Sequence, residues 1–395
     1  MTRALIVTSV LLLAPALACR PHPVHPGRSP GIEKYPSARD LYGLAERYRV
    51  KHGLPALGIG IVHRGETVGL GMAGERAAGS ADWATLDDVF DVASCSKSVT
   101  ATIAAWLVER GVVQWTTTLG RAFPELGASL HPSYVNATLE QLLRHRAGLG
   151  HDMNRNARWA GWHREHAGRS AAEQRHLFAA DVLQRPPRAT PGTESYYTSD
   201  GYVVAGSLLE RAAGIEWEHL VRATLFQPLG LASLTYGVPS DGGGETPVSG
   251  HEEGWFGRAV IVPPNRAEYG APPFGSPAGF LYASLPDLLR YVDVHIQGHH
   301  GQGPLLRAES FKRLHARGDD PRFGLGWEVE VTRDDGRAIE HSVYHGGYSG
   351  RFRANMWFAP ETAWGTVIVT NHGRGDDAIA ADIFYALLRE FGLVR

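Results

Sequence analysis

The sequence predicts an α+β fold: an antiparallel sheet flanked by helices, joined to a mostly helical second lobe. Three features of the 395 residues predict it. Strand patterns crowd the two ends of the chain, helical patterns fill its middle, and one segment, Val99 to Val108, is apolar on nearly every side. A helix of that last kind is buried all round. Strands at both ends bury most surface when they share one sheet covered by helices. The folded domain is therefore expected over residues 37–395, with 37–90 and 281–395 forming the sheet lobe and 91–280 the helical lobe.

The elements follow in order. Residues 1–18 read as a signal peptide: Arg3 is a positive start, Ala4 to Leu17 is almost wholly apolar but short for a bilayer, and Ala16-Leu17-Ala18 offers small residues for cleavage. Two readings of the next residue stand. Cleavage after Ala18 releases a secreted or periplasmic protein, or Cys19 is lipidated and anchors the chain to a membrane. Residues 19–36, rich in Pro, His and Gly between His22 and Pro30, form a linker. Leu41, Leu44, Ala45 and Tyr48 have helical spacing, which Gly53 ends. Ala56 to Val62 is a strand, His63-Arg64-Gly65-Glu66 a hairpin turn, and Thr67 to Met72 the return strand. Helical patterns run from Leu139 to Leu220, and Tyr282 to Ile296 reads as one amphipathic helix. Gly324–Val331, Ser342–Tyr344, Arg353–Phe358 and Gly365–Thr370 read as strands, before a closing helix over Ala378 to Phe391.

Composition excludes some functions. The formal net charge is −2 and no long basic run occurs, so the clustered cations that nucleic-acid binding needs are missing. Neither His-Glu-x-x-His nor Cys-x-x-Cys is present, so no metal or other cofactor is expected. Cys95 has no partner once Cys19 is removed or lipidated, and the fold does not depend on a disulfide.

Three short segments carry chemistry. In Phe90-Asp91-Val92-Ala93-Ser94-Cys95-Ser96-Lys97, the Ser-x-x-Lys spacing puts Ser94 and Lys97 on one face of a helix. A serine hydroxyl needs a base to attack carbon, and a lysine becomes one where desolvation disfavours its charge. Alone, the four residues equally describe a capping serine and a surface lysine. Tyr197 and Ser199 sit on a loop before the helix that begins near Val203. A tyrosine hydroxyl there can pass a proton, and Ser199 can hydrogen-bond substrate or the lysine. Finally, His345-Gly346-Gly347-Tyr348 ends a strand whose glycines let a substrate lie along the backbone. An N–H from that edge can complete an oxyanion hole with the N–H of Ser94.

In this order the segments resemble the penicillin-recognising serine hydrolases: class C β-lactamases, low-molecular-weight D-Ala-D-Ala carboxypeptidases and family VIII esterases. Their Ser-x-x-Lys, Tyr-x-Asn and Lys/His-x-Gly motifs match Ser94 to Lys97, Tyr197 to Ser199 and His345 to Gly347. Leu142 to Leu149 (Leu-Leu-Arg-His-Arg-Ala-Gly-Leu), Phe323 to Trp327 and Pro277 to Ser284 are similar to further landmarks of the family. The resemblance covers about Ser37 to the C-terminus and implies a β-lactamase/transpeptidase-like fold. It implies that Ser94 is the acylated nucleophile, Lys97 the base or proton relay, and Tyr197 a partner in proton transfer. Ser94 and Tyr348 would supply oxyanion N–H groups, and His345 would face the substrate's carboxylate or leaving group.

Three departures stand out. Ser199 replaces the usual Asn, Ala147 replaces the usual Ser, and Gly350 arrives one residue early, which loosens the place of Tyr348. Ser199-Asp200-Gly201 also echoes a Ser-Asp-Asn motif, a second way to align the middle site. The expected function is hydrolysis of esters, β-lactams or D-Ala-D-Ala-type amides through an acyl-enzyme on a small-molecule acyl substrate. Neutral histidine where the family also uses lysine favours esters or peptides over β-lactams. The alternative is a penicillin-binding sensor that is acylated without turnover. Nothing in the sequence speaks to oligomeric state.

Overall fold

The alternation Leu57-Gly58-Ile59-Gly60-Ile61 writes a strand with one branched face and one bare face. The computed structural model describes residues 26–150, 155–237, 247–254, 258–262, 272–320, 322–334, 337–374 and 377–393. The signal peptide, Cys19, His22, His25 and the His151-Asp152 pair lie outside these residues. Among the described residues the strands are β1 (Arg39–Asp40), β2 (Ala56–His63), β3 (Glu66–Gly74), β4 (Val89–Asp91), β5 (Thr235–Tyr236), β6 (Gly250–Glu253), β7 (Ala259–Val262), β8 (Leu281–Ser284), β9 (Glu328–Asp334), β10 (Arg337–Tyr348), β11 (Arg353–Ala359) and β12 (Trp364–Thr370). Seven of them form the main sheet, in the order β1-β3-β2-β12-β11-β10-β9. The N- and C-terminal strands meet at β2 and β12, whose register pairs Ile61 with Thr366 and Ile59 with Ile368.

Each face of β2 does what its residues allow. Leu57, Ile59 and Ile61 join Leu44 and Ala45 of the Tyr42–His52 helix and Ile383 and Leu387 of the Asp377–Glu390 helix in an outer core. On the other face the Leu285–His299 helix packs close. A Cβ on Gly60 would stand 3.2 Å from Leu289 and 3.4 Å from Leu285. The Ser96–Glu109 helix is buried on nearly every side, as its composition predicts, against the Asp200–Ala213 helix and the inner core. No helix among the described residues is long and apolar enough to cross a membrane.

The structure corrects several sequence expectations. The sheet is antiparallel except at β1, whose two residues pair parallel with Gly69 and Leu70. Tyr282 to Ile296 is not one helix. Leu281–Ser284 is the buried strand β8, pairing with β4 and β5, and the helix begins at Leu285, where the Ser284 side chain accepts the Asp287 N–H. Gly324 to Trp327 is not strand either. Gly326 has φ +75°, and a Cβ on it would meet the Lys97 carbonyl at 2.8 Å, so this segment turns beneath the Ser96–Glu109 helix before β9 starts at Glu328. The strand predicted over Ser342–Tyr344 is longer than expected: β10 runs from Arg337 to Tyr348. The residues between 91 and 280 also hold the short strands β5, β6 and β7 among their helices.

Buried imidazoles make the fold sensitive to acid, His372 (lowered to about 4) and His251 among them. Burial lowers His295 and His345 to about 3, and places His145 and His315 well below the usual range. Released by unfolding, each takes a proton near pH ~6.5. Two buried carboxyls oppose them. Burial raises Asp91 to about 6 and Glu210 to about 7, so these hold protons in the folded chain that they lose on unfolding. Between about pH 4.5 and 6 the histidines outnumber the carboxyls, so the unfolded chain binds more protons than the folded one. Stability falls with falling pH in that window. Thermal melts at pH 7.5 and pH 5 check this: a clearly lower Tm at pH 5 is expected, and an equal or higher one would mean that the buried histidines are charged in the fold.

Candidate active site

A non-glycine residue in left-handed backbone is uncommon and needs its surroundings to hold it. Ala93, just before Ser94, has φ 46°. Asp91 Oδ1 accepts its N–H at 2.8 Å, and its carbonyl accepts the Ser96 hydroxyl at 2.6 Å. The Val92 N–H donates to the Leu281 carbonyl of β8 at 2.9 Å. Ser94 thus sits in the 3-10 turn Ala93–Cys95, which runs directly into the Ser96–Glu109 helix. From Phe90 to Ala105 every residue is buried except Ser94. This residue is where the stretch meets solvent.

Lys97 is fully buried. Its Nζ donates to Ser94 Oγ at 3.1 Å, to Ser199 Oγ at 3.2 Å and to the Ala278 carbonyl at 2.8 Å. All three acceptors are neutral oxygens, each from a different segment. Ser199 is shorter than the Asn expected from the resemblance, yet it reaches the amine. The Tyr197 ring lies 5.0 Å from Nζ, 4.5 Å from the His145 ring and 6.4 Å from the His345 ring. Asp200, of the alternative Ser-Asp-Asn alignment, is instead engaged by Arg158 and by Trp159 Nε1.

The last segment arrives along β10. That strand pairs with β9 only as far as Tyr344 and with β11 as far as Tyr348, so the edge of His345 to Tyr348 extends past β9. The turn bearing Ser94 lies against this stretch. The Cys95 thiol donates to the His345 carbonyl at 3.4 Å, and a Cβ on Gly347 would fall 2.1 Å from the Val92 carbonyl oxygen. Glycine is required at 347 because backbone meets backbone there. His345 Nδ1–H donates to the Gly346 carbonyl at 2.9 Å. Burial first, and then the Lys97 charge, push this imidazole down to about 3, so it is neutral at physiological pH. The Tyr348 side chain stands half in solvent beneath the Arg353 guanidinium.

The structure therefore gathers Ser94, Lys97, Tyr197, Ser199 and His345 at one place, with the Gly347 backbone alongside. It adds groups whose role sequence reading does not reach: Asp91, which holds the Ser94 turn; the Ala278 carbonyl, which binds the lysine; and His145, beside Tyr197. Trp159 packs in the core against Phe178, Phe274 and Phe280, and Trp162 against Phe178. His299 and His300 lie at the end of a helix, where His299 faces His315. Among the described residues no group of three or more His, Cys, Asp or Glu side chains is arranged to hold a metal.

Known proteins resemble this chain in sequence and in fold. A penicillin-binding protein 4 from Amycolatopsis lactamdurans is 28% identical over 189 residues, which are 48% of this chain and 43% of that protein. The chain thus aligns with less than half the length of that relative. Esterase EstB from Burkholderia gladioli is 30% identical over 278 residues, covering 64% of this chain and 69% of the esterase. The octameric penicillin-binding protein homologue from Pyrococcus abyssi superposes with a TM-score of 0.70 at 21% identity, over 89% of this chain and 76% of that one, a likeness of fold. The sequence model of the Beta-lactamase family matches residues 41–390. The chain belongs to the Beta-lactamase family.

Proposed function

We propose that the chain is a serine hydrolase that cleaves carboxylic esters through an acyl-enzyme on Ser94. The observation that carries this reading is the 3.1 Å hydrogen bond between the buried Lys97 amine and the hydroxyl of Ser94, the one residue of its segment that meets solvent. In its neutral form Lys97 takes the Ser94 proton as Oγ attacks the acyl carbon. The Ser94 and Tyr348 N–H groups receive the oxyanion. As the ester C–O bond breaks, Lys97 and Tyr197 return the proton to the leaving alkoxide. Water then attacks the Ser94 ester and gives its proton to the same pair, which returns it to Ser94 Oγ as the acyl–Oγ bond breaks and the acid leaves. Ser199 holds the amine in line.

Esters are favoured over β-lactams by the chemistry of His345. Lysine at that place gives a β-lactam's carboxylate a permanent cation, whereas this imidazole is held neutral chiefly by burial. The 30% identity with an esterase points the same way. D-Ala-D-Ala-type amides, whose carboxylate poses the same difficulty, come second. The sensor alternative loses its motive, since Ser199 reaches the lysine without the missing amide.

Three outcomes are expected. Ser94→Ala abolishes both p-nitrophenyl butyrate turnover and labelling by a fluorophosphonate, and Lys97→Ala lowers kcat by ~10²–10⁴-fold; full activity in Ser94→Ala would refute the mechanism. In parallel assays the butyrate ester is turned over more efficiently than a chromogenic cephalosporin or a D-Ala-D-Ala peptide. A fluorescent penicillin label that never leaves, together with no ester turnover, would favour the sensor instead. Gly347→Ala forces β10 away from the Ser94 turn and lowers kcat by about 10²-fold, with the fold retained by circular dichroism; unchanged kcat would mean that this apposition does not shape the site.

A further inference from the structure

Tyr197 lies on a stretch without regular secondary structure, so the direction of its phenol depends on how its own backbone is held. One residue holds both sides of it. The His145 carbonyl accepts the Tyr196 N–H at 2.8 Å, and His145 Nδ1 accepts the Thr198 N–H at 3.2 Å. The amides before and after Tyr197 thus end on the same side chain and backbone. His145 has left-handed backbone, φ 59°, which brings its carbonyl and ring to the same neighbouring segment. Its ring packs 4.5 Å from Tyr197, 5.2 Å from Tyr202 and 4.9 Å from Phe323.

His145 is itself fixed at both ends. Arg144 Nη1 donates to the carbonyls of Ala316 and Arg317 at 2.8 Å and of Phe323 at 3.0 Å. The Arg146 carbonyl accepts the Gly192 N–H at 2.7 Å, and its guanidinium reaches back to the Gly192 carbonyl. With Nδ1 acting as an acceptor, the ring proton belongs on Nε2. A proton on Nδ1 would face the Thr198 N–H head on. Burial and the nearby Lys97 charge both keep the ring unprotonated.

We infer that His145 is a positioning residue for the acyl-transfer reaction: it aims the Tyr197 phenol by bonding the two amides that flank it. The inference rests on the proposed hydrolase reading, in which Ser94 is acylated and Tyr197 passes protons. It extends that reading to a histidine that the mechanism itself does not use.

Variants of His145 separate aim from packing. His145→Asn keeps an acceptor near the place of Nδ1 and tolerates left-handed backbone. His145→Phe keeps the bulk and loses the acceptor. With p-nitrophenyl butyrate, His145→Phe should lower kcat about 10- to 100-fold with KM nearly unchanged, and His145→Asn should restore most of kcat. In a Tyr197→Phe background, His145→Phe should lower kcat no further, because its effect runs through that phenol. Should His145→Phe fail to fold, His145→Gly carries the comparison, since glycine adopts the same backbone and deletes only the ring. Wild-type kcat in the folded variant lacking the acceptor, or an equal loss in both backgrounds, would overturn the inference. Loss of activity in Ser94→Ala alongside either result shows that the hydrolase reading stands while this inference falls; activity surviving in Ser94→Ala removes the reading on which the inference rests.

Discussion

A lysine amine taken out of water must be given protein oxygens in exchange, because an unmet buried donor is costly. Lys97 is given three, from Ser94, Ser199 and Ala278, and they come from segments far apart in the chain. Burying this one group therefore requires that the turn before the Ser96–Glu109 helix, the entry to the Asp200–Ala213 helix and the loop leading into β8 all converge. The same convergence is repeated one turn along the helix, where the Thr100 hydroxyl donates to the Pro277 carbonyl at 2.7 Å. Backbone strain gathers at the same place. Ala93, His145 and Phe280 all have left-handed backbone, and each lies within two residues of a group touching Lys97 or Tyr197. Such residues persist only where neighbours over-determine them. Here the neighbours are the segments that the lysine draws together.

The second constraint is the approach of β10 to the Ser94 turn. Glycine at 347 allows the Val92 carbonyl to lie where a side chain would otherwise be. Cys95, directly after the serine, then spans the gap with its thiol. Burial pushes this thiol up to about 12, which keeps it protonated and able to donate. Its neighbourhood to the reactive serine is thus a matter of packing and hydrogen bonding, with no thiolate chemistry available to it. Asp91 completes the arrangement from the other side by holding the Ala93 N–H. One short stretch, Asp91 to Lys97, is tied to both the sheet and the helical region.

Much of this was legible from residue order. The Leu-Gly-Ile-Gly-Ile alternation specifies β2 and its two unequal faces, and the spacing of Ser94, Lys97, Tyr197 and His345 finds side chains that the fold does bring together. What failed did so for physical reasons. Leu281–Ser284 is apolar like the helix that follows, so periodicity does not separate strand from helix; the cap at Ser284 does. The Gly-Leu-Gly-Trp run looks extended, but Gly326 turns to let the chain pass under the Lys97 carbonyl, a contact between residues remote in sequence. His145 is visible as part of a pattern, yet its two bonds to the Tyr197 loop depend on a left-handed backbone that no side-chain pattern encodes. The Ala278 carbonyl is invisible for the same reason: every residue has a carbonyl, and only the fold says which one faces the lysine.

The charges around the site bear on what it can bind. His145 and His345 flank the Tyr197 ring, and in both burial is the largest cause that keeps the imidazole neutral. Arg322, whose charge also acts on His345, is engaged by Glu328, and Arg351, whose charge acts on Asp91, pairs with Glu252 at 2.9 Å. A substrate carboxylate would have to compete with those partners for a cation. An uncharged acyl group meets no such competition: it needs only the Ser94 hydroxyl, two backbone N–H groups and a route for one proton. Keeping the surrounding histidines neutral leaves that route to Lys97 and Tyr197, so in the proposed reaction the same electrostatics that disfavour an anionic substrate also confine proton transfer to the pair beside the serine.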